Sequence, residues 1–379
     1  MSTAAAPRRV VCFVDSNRPW GGGEKFHLEH ARHCRDQGWA VHVVAHAQGE
    51  LARRVAAEPG LTLHAVALGN LSFLNPLAML RLRALFRRMG ADTVVAALPA
   101  DLKAAGTAAR WAGVGQVVYR RGIAVPVRDT ALNRWLYGRV VDRLIVNSLE
   151  TKRCVLAHNP QLIDEARIRL VPNGFDLAAF DALPGAEALP PDSPLRRRGG
   201  EVLVGNAARL TAQKGQALLL EAVRQLTDDG LDVRLLLAGA GPDEAALRER
   251  TRELGLKGRV EFLGFMQNLK GFYESIDIFA LPSLWEGFGY ALVEAMAARR
   301  PVAAFDTSSI PEVVVHGETG RLAPPRDVPA LADALARLAR DPAERARLGE
   351  AGRRRVQENY ALDRTLPAFL RALDADAES

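Results

Sequence analysis

The chain has 379 residues, 48% of them hydrophobic and 25% charged, with a net charge of +6. That is the composition of a globular protein long enough for two domains with separate cores, and no apolar run approaches the ~20 residues that cross a bilayer. The three scattered cysteines, Cys12, Cys34 and Cys154, form neither a disulfide framework nor a zinc-ligand spacing. The basic excess is dispersed through helical stretches without interleaved aromatics, so no nucleic-acid partner is expected; anionic small molecules or a negatively charged membrane face suit it at least as well.

The first ten residues read as a polar leader into a strand, without the layout of a secretion signal, so a reduced cytoplasmic setting is expected. Strand-like apolar runs follow at 10–14, 40–45, 61–67, 93–98, 116–119, 144–147 and 168–171, with helical stretches between them at 24–37, 76–88 and 102–111. A second series lies at 202–206, 233–238, 260–263, 276–281, 301–305 and 320–322. Alternating strands and helices predict parallel α/β sheets. Between the two series, 178–200 holds four prolines and the run Arg196-Arg197-Arg198, which predicts an exposed linker or long loop.

Three places carry candidate chemistry. Gly21-Gly22-Gly23 follows the first strand and opens a helix, as an anion cradle does, although it lacks the spacing of a dinucleotide fingerprint; a plain tight turn is the other reading. Arg209 ends a buried strand, and Lys214-Gly215 opens the next apolar-periodic run, so two fixed cations flank a helix start. Glu286 precedes Gly287-Phe288-Gly289, and Glu294 lies inside the helix-like run that begins near Gly289. Backbone donors beside small residues favour phosphate, and carboxylates on each side accept from hydroxyls. The pattern predicts a ligand that is part sugar and part phosphate.

Together with Trp20-Gly-Gly-Gly-Glu24, Val171-Pro-Asn-Gly-Phe-Asp176, Leu237-Ala-Gly-Ala-Gly-Pro242, Ser309-Ile-Pro-Glu-Val313 and Gly317-Glu-Thr-Gly320, these stretches resemble the retaining GT-B glycosyltransferases of family 4, also called group 1. The resemblance implies an α/β fold of two Rossmann-like parallel-sheet domains facing a crevice. The first is an acceptor domain at 1–180, to which a terminal helix at 363–379 returns; the second is a donor domain at 201–362. It also implies transfer of a sugar from a nucleoside-diphosphate donor to a glycan or lipid-linked acceptor of the cell envelope, with retention and without a metal or other cofactor. Glu286, Arg209 and Lys214 would be catalytic. Glu294, Gly22, Gly23, Gly264, Phe288, Gly289 and Leu292 would hold the nucleotide sugar. A nucleotide-sugar epimerase on the same architecture and a non-catalytic binding scaffold are the alternatives.

The chain departs from the family at 117–123, where many relatives place a histidine near the reacting sugar and this sequence has Arg120 and Arg121. Either the contact with the reacting sugar is made differently, or these arginines receive an anionic acceptor, or they pair with acids such as Asp129 or Asp142. His27, His30 and His33 fan too widely over a helix for one metal ion and predict a solvated or crevice-facing surface. In 76–88, Ala78, Met79, Leu82, Leu85 and Phe86 form a core-facing stripe. Leu77, Leu80 and Ala84 form a second strip between arginine rows, Arg81 and Arg88 on one side and Arg83 and Arg87 on the other. That suits either a peripheral contact with anionic lipid at the inner face of the plasma membrane or a helix packed on two sides with snorkelling arginines.

Overall fold

The computed structural model describes residues 9–374; most of the polar leader and the last five residues of the expected terminal helix lie outside the described residues. Two compact units are present, one formed by the chain up to Gly174 together with that from Thr365 on, the other by Phe175–Arg364. No described helix is long and apolar enough to cross a membrane.

In the first unit seven parallel strands, β1 (Val10–Asp15), β2 (Ala40–Ala45), β3 (Leu61–Ala65), β4 (Thr93–Ala96), β5 (Gln116–Arg121), β6 (Arg143–Val146) and β7 (Ile168–Leu170), lie in the order β3-β2-β1-β4-β5-β6-β7. Side chains alternate across the sheet, as strand geometry requires. Val11 and Phe13 join one apolar layer with Phe26 of helix Gly22–Asp36 and Phe369 of helix Leu362–Asp374, where Phe13 stacks on Phe369 at 6.1 Å. Cys12 and Val14 join the opposite layer with Met79, Leu82 and Phe86 of helix Pro76–Met89.

In the second unit β8 (Val202–Ala207), β9 (Val233–Ala238), β10 (Val260–Gly264), β11 (Ile278–Leu281), β12 (Val302–Phe305) and β13 (Gly320–Ala323) are parallel in the order β10-β9-β8-β11-β12-β13. The segment 178–200 is mostly exposed, as expected of a linker or long loop, but it is pinned at a few points. Phe180 and Leu195 are buried in an apolar layer of this unit. Arg234, fully buried in β9, pairs with Glu201 and donates to the carbonyls of Pro194 and Arg196. Arg353 pairs with Asp181. Prolines break helices and strands, but they do not prevent an irregular segment from being fastened by buried guanidinium groups.

At the carboxyl ends of β1 and β4 the first unit encloses a polar cluster. Asp15 and Asp101 are buried, with Glu24 and Arg120 beside them. Asp15 accepts the Asn17 N–H at 3.1 Å, Asp101 accepts those of Ser16 and Leu98 at 3.3 and 3.1 Å, and Asn17 donates to Glu24 at 2.6 Å. His27 and His30 are buried here too, a correction to the solvated or crevice-facing surface expected of them; the His30 ring stacks on Phe26 at 3.6 Å and Nδ1 lies 2.7 Å from the Phe26 carbonyl oxygen. Helical spacing placed these rings correctly around the axis, but not the layer of side chains that covers them.

Burial, reinforced by the charges of Glu24 and Asp101, pushes the Asp15 carboxyl up to about 8. Burial likewise lifts Asp101 to about 6 and drops His30 to about 3. Folding therefore takes up a proton at Asp15 wherever the unfolded carboxyl would be ionised, so this contribution to stability is complete below pH ~4 and is lost as pH rises towards 8. The histidine contributions run the opposite way and are complete above pH ~6.5. Between pH 6.5 and 8 the first unit should lose stability at up to about 1.4 kcal/mol per pH unit. Thermal melts over that range should show this decline, and Asp15→Asn, which keeps the oxygen that Asn17 uses, should flatten it.

Candidate functional site

The second sheet opens between its two central strands. The pairing of β8 with β11 ends at Gly205 and Phe279, and the fully buried Asn206 bridges the gap beyond, donating from Nδ2 to the Ala280 carbonyl at 2.7 Å. The chain leaves β8 towards β9 on one side, and leaves β11 towards β12 on the other. Loops diverging from such a reversal of strand order leave room for a ligand at the carboxyl ends of the strands.

The two loops are laced together. The Leu284 N–H donates to the Gln213 carbonyl at 2.8 Å, and Gln213 Nε2 donates to the Trp285 carbonyl at 2.8 Å. Gly215 closes the turn with φ +68°, and a Cβ there would stand 2.0 Å from the Pro282 carbonyl oxygen. Only glycine permits both that conformation and that approach. Lys214 is thereby delivered to Glu286, and its Nζ donates to Oε1. The same oxygen accepts Ser283 Oγ at 2.7 Å, while the Glu286 carbonyl accepts the hydroxyls of Ser308 and Ser309 at 2.7 and 3.0 Å. The side chains of Lys214 and Glu286 are 19% and 8% exposed, so the pair is shielded from bulk water yet reachable by a ligand.

Arg209 stands exposed in the same loop as Lys214, with no ion-pair partner among the described residues. Thr211, between them, carries a buried hydroxyl without a hydrogen-bond partner. Glu294 lies on helix Tyr290–Ala297, which starts after Gly289 at φ +87°, and accepts the Tyr273 hydroxyl at 2.9 Å. Burial and the Glu294 charge hold the Tyr273 phenol well above its ordinary range, so it stays a donor at any physiological pH. The arrangement offers an anion two cations, one of them unpaired, and offers hydroxyl groups two oriented carboxylates. Among the described residues no three His, Cys, Asp or Glu side chains cluster as metal ligands.

Other expected residues fall differently. Leu292 is fully buried in the apolar layer and its N–H donates to the Gly289 carbonyl at 2.9 Å. The Phe288 ring is buried against Tyr290 and Tyr360, leaving only its peptide to meet a ligand. Gly264 ends β10 at φ +68° with open space where a side chain would be. Gly22 and Gly23 begin the first-unit helix Gly22–Asp36. Arg120 and Arg121 are both buried, inside β5 rather than beyond it. Arg120 covers the Phe26 ring at 4.2 Å and donates to Asn173, and Arg121 donates to the Tyr119 hydroxyl and the Val125 carbonyl. Asp129 pairs instead with Arg134, and Asp142 with Arg110. These arginines thus brace the sheet end.

Ser283, Ser308, Asn206 and Tyr273, and the contact Ser309 makes with Glu286, were not anticipated. Ser283 sits three residues before Glu286, a local signal, whereas Tyr273 and Asn206 act across the fold and leave none. Gly215→Ala should lower the melting temperature of the second unit without changing its secondary structure, because the new methyl group would collide with the backbone of the Glu286 loop; circular dichroism melts would register it.

Comparison with known proteins bears on this geometry. The family model described as glycosyl transferases group 1 matches residues 192–355, and the glycosyltransferase family 4 model matches residues 20–179. The chain is 30% identical over 305 residues, 76% of its own length and 77% of the relative's, to the GDP-mannose-dependent alpha-(1-6)-phosphatidylinositol monomannoside mannosyltransferase of Mycolicibacterium smegmatis. It is 31% identical over 255 residues, 64% of the chain, to the lipopolysaccharide core biosynthesis mannosyltransferase LpcC of Rhizobium leguminosarum bv. viciae. The chain spans 66% of LpcC's own length, and across the curated relatives the share covered runs from 46% to 77%. The crystal structure of Anabaena HepE in complex with UDP and glucose superposes with a TM-score of 0.81 at 22% identity, covering 97% of this chain and all of that one, a likeness of fold. With both halves matched by the models and three quarters of its length by a relative of this kind, the chain belongs to the GT-B glycosyltransferases of group 1.

Proposed function

We propose that the protein moves a sugar from a nucleoside-diphosphate donor to a glycan or lipid-linked acceptor in cell-envelope synthesis, with retention of configuration and without a metal. The observation that carries this reading is the Lys214–Glu286 pair held by Ser283 where the second sheet reverses its strand order. Arg209 and Lys214 take the diphosphate, Glu286 orients the sugar hydroxyls, and Glu294 accepts from the ribose. The names of the relatives, which act in lipopolysaccharide core biosynthesis and on a phosphatidylinositol mannoside, favour an envelope acceptor.

In the transfer, the bond from the sugar's anomeric carbon to the β-phosphate oxygen breaks, and the electron pair leaves with the nucleoside diphosphate. The acceptor oxygen bonds to the same face of that carbon, and its proton passes to the departing phosphate. Negative charge grows on the phosphate during this step, so cations already in place lower the barrier without rearranging. Lys214 is released from Glu286 as the donor arrives, which frees one carboxylate and one ammonium for the ligand together.

A panel of nucleoside-diphosphate sugars should single out one donor that raises the melting temperature of the protein. At a hundredfold excess over Kd the stabilisation is about 2.7 kcal/mol, or roughly 5–10 °C for a unit of this size. No shift with any donor sinks the proposal. With that donor, Lys214→Ala and Glu286→Gln should each lower turnover by roughly 10²–10³-fold while the variants still melt cooperatively. Near-normal turnover in either removes that residue from the mechanism, and an inverted product anomer by NMR removes retention.

A further inference from the structure

We propose that the first unit docks on an anionic phospholipid bilayer through residues 71–88, its leucines entering the acyl boundary and two arginines meeting lipid phosphates. Leu71, Leu74, Leu77 and Leu80 are 71%, 65%, 64% and 54% exposed, an apolar ridge within ten consecutive residues. The ridge is pre-shaped. Asn75 caps helix Pro76–Met89 by accepting from the N–H groups of Leu77 and Ala78, and Pro76 starts its first turn. The helix already has a buried face in Met79, Leu82 and Phe86, so the ridge is a second apolar face that the unit's core leaves uncovered.

Charge identifies what covers it. From Glu58 to Asp92 the chain carries no acidic residue, while four arginines follow the ridge. Arg83 and Arg87 are tethered to the carbonyls of Trp111 and Ala112 at 3.0 and 3.4 Å. Arg81 and Arg88 are exposed, have no partner among the described residues, and line a groove of about 790 Å³ between the helix and the chain of β3. β3 is an edge strand, so the groove is open on that side. An apolar strip bordered by unpaired arginines matches the boundary between acyl chains and anionic headgroups. A second copy of this chain fits worse, since a two-fold contact would press arginine rows against each other. The groove accommodates a phosphate between Arg81 and Arg88 while the leucines lie in the interface. This contact is independent of the transfer reaction proposed above, because it needs neither donor nor acceptor.

Flotation of the full chain with phosphatidylglycerol–phosphatidylcholine vesicles, against phosphatidylcholine alone, tests it without any substrate. The protein should float with the anionic vesicles and stay behind with the neutral ones. Leu77→Glu with Leu80→Glu should abolish flotation, and Arg81→Gln with Arg88→Gln should weaken binding by about 25-fold, roughly fivefold per arginine. All four side chains are exposed, so unchanged melting temperatures should accompany these losses. Failure of the unaltered protein to float, or flotation that survives the double leucine substitution, overturns the proposal. So does concentration-dependent self-association that the same leucine substitutions remove, which would assign the ridge to a second copy.

Discussion

One ion pair holds the candidate site together. Lys214 and Glu286 belong to loops that leave β8 and β11, strands whose ladder ends after Gly205 and Phe279. Without a tie, those loops would be free to part where the sheet opens. The pair is too shielded for water to replace either partner readily, and removing one leaves the other charge poorly solvated, which generally costs several kcal/mol. Its contribution to stability is therefore inseparable from its availability to a ligand. On the proposed reading, a donor supplying phosphate to the lysine and hydroxyls to the carboxylate would exchange one set of charge-assisted bonds for another and leave no ion stranded.

Both units repeat one arrangement, with strand order reversing beside the first strand of each sheet, yet the chemistry at the two reversals is opposite. In the second unit the loops present exposed or half-exposed cations around a bonded carboxylate. In the first, carboxylates and imidazoles are sealed in, and Arg120 and Arg121 are spent on Asn173, Phe26, Tyr119 and Val125. Burial there favours neutral forms, so Asp15 and His30 move towards neutrality from opposite directions. The same topology thus supplies one sheet end that presents cations and another whose protonation is coupled to its own folding.

Much of the fold was legible because buried parallel strands leave near-continuous apolar runs. Each of the thirteen strands lies where such a run predicted it, with differences of a few residues at the ends. Helix Pro76–Met89 likewise carried its two apolar faces openly, since helical period alone separates Met79 and Leu82 from Leu77 and Leu80. The histidines show where that logic stops. His27 and His30 were assigned to the right element but to the wrong environment, because what covers a helix face comes from elsewhere in the chain. The anchoring of 178–200 by Arg234 and Arg353 from distant elements left no local signal for the same reason.

The sequence by itself determined the strand and helix pattern, the family, and the presence of cations and carboxylates beside glycine turns, because these depend on local periodicity and on motifs a few residues long. Only the tertiary structure decided that Lys214 meets Glu286, that Ser283, Ser308 and Ser309 orient that carboxylate, that Leu292 belongs to the core, and that Arg120 and Arg121 are enclosed. Lys214 and Glu286 are 72 residues apart, and no local preference spans that distance. Contact and burial arise from which surfaces the packed sheets bring together.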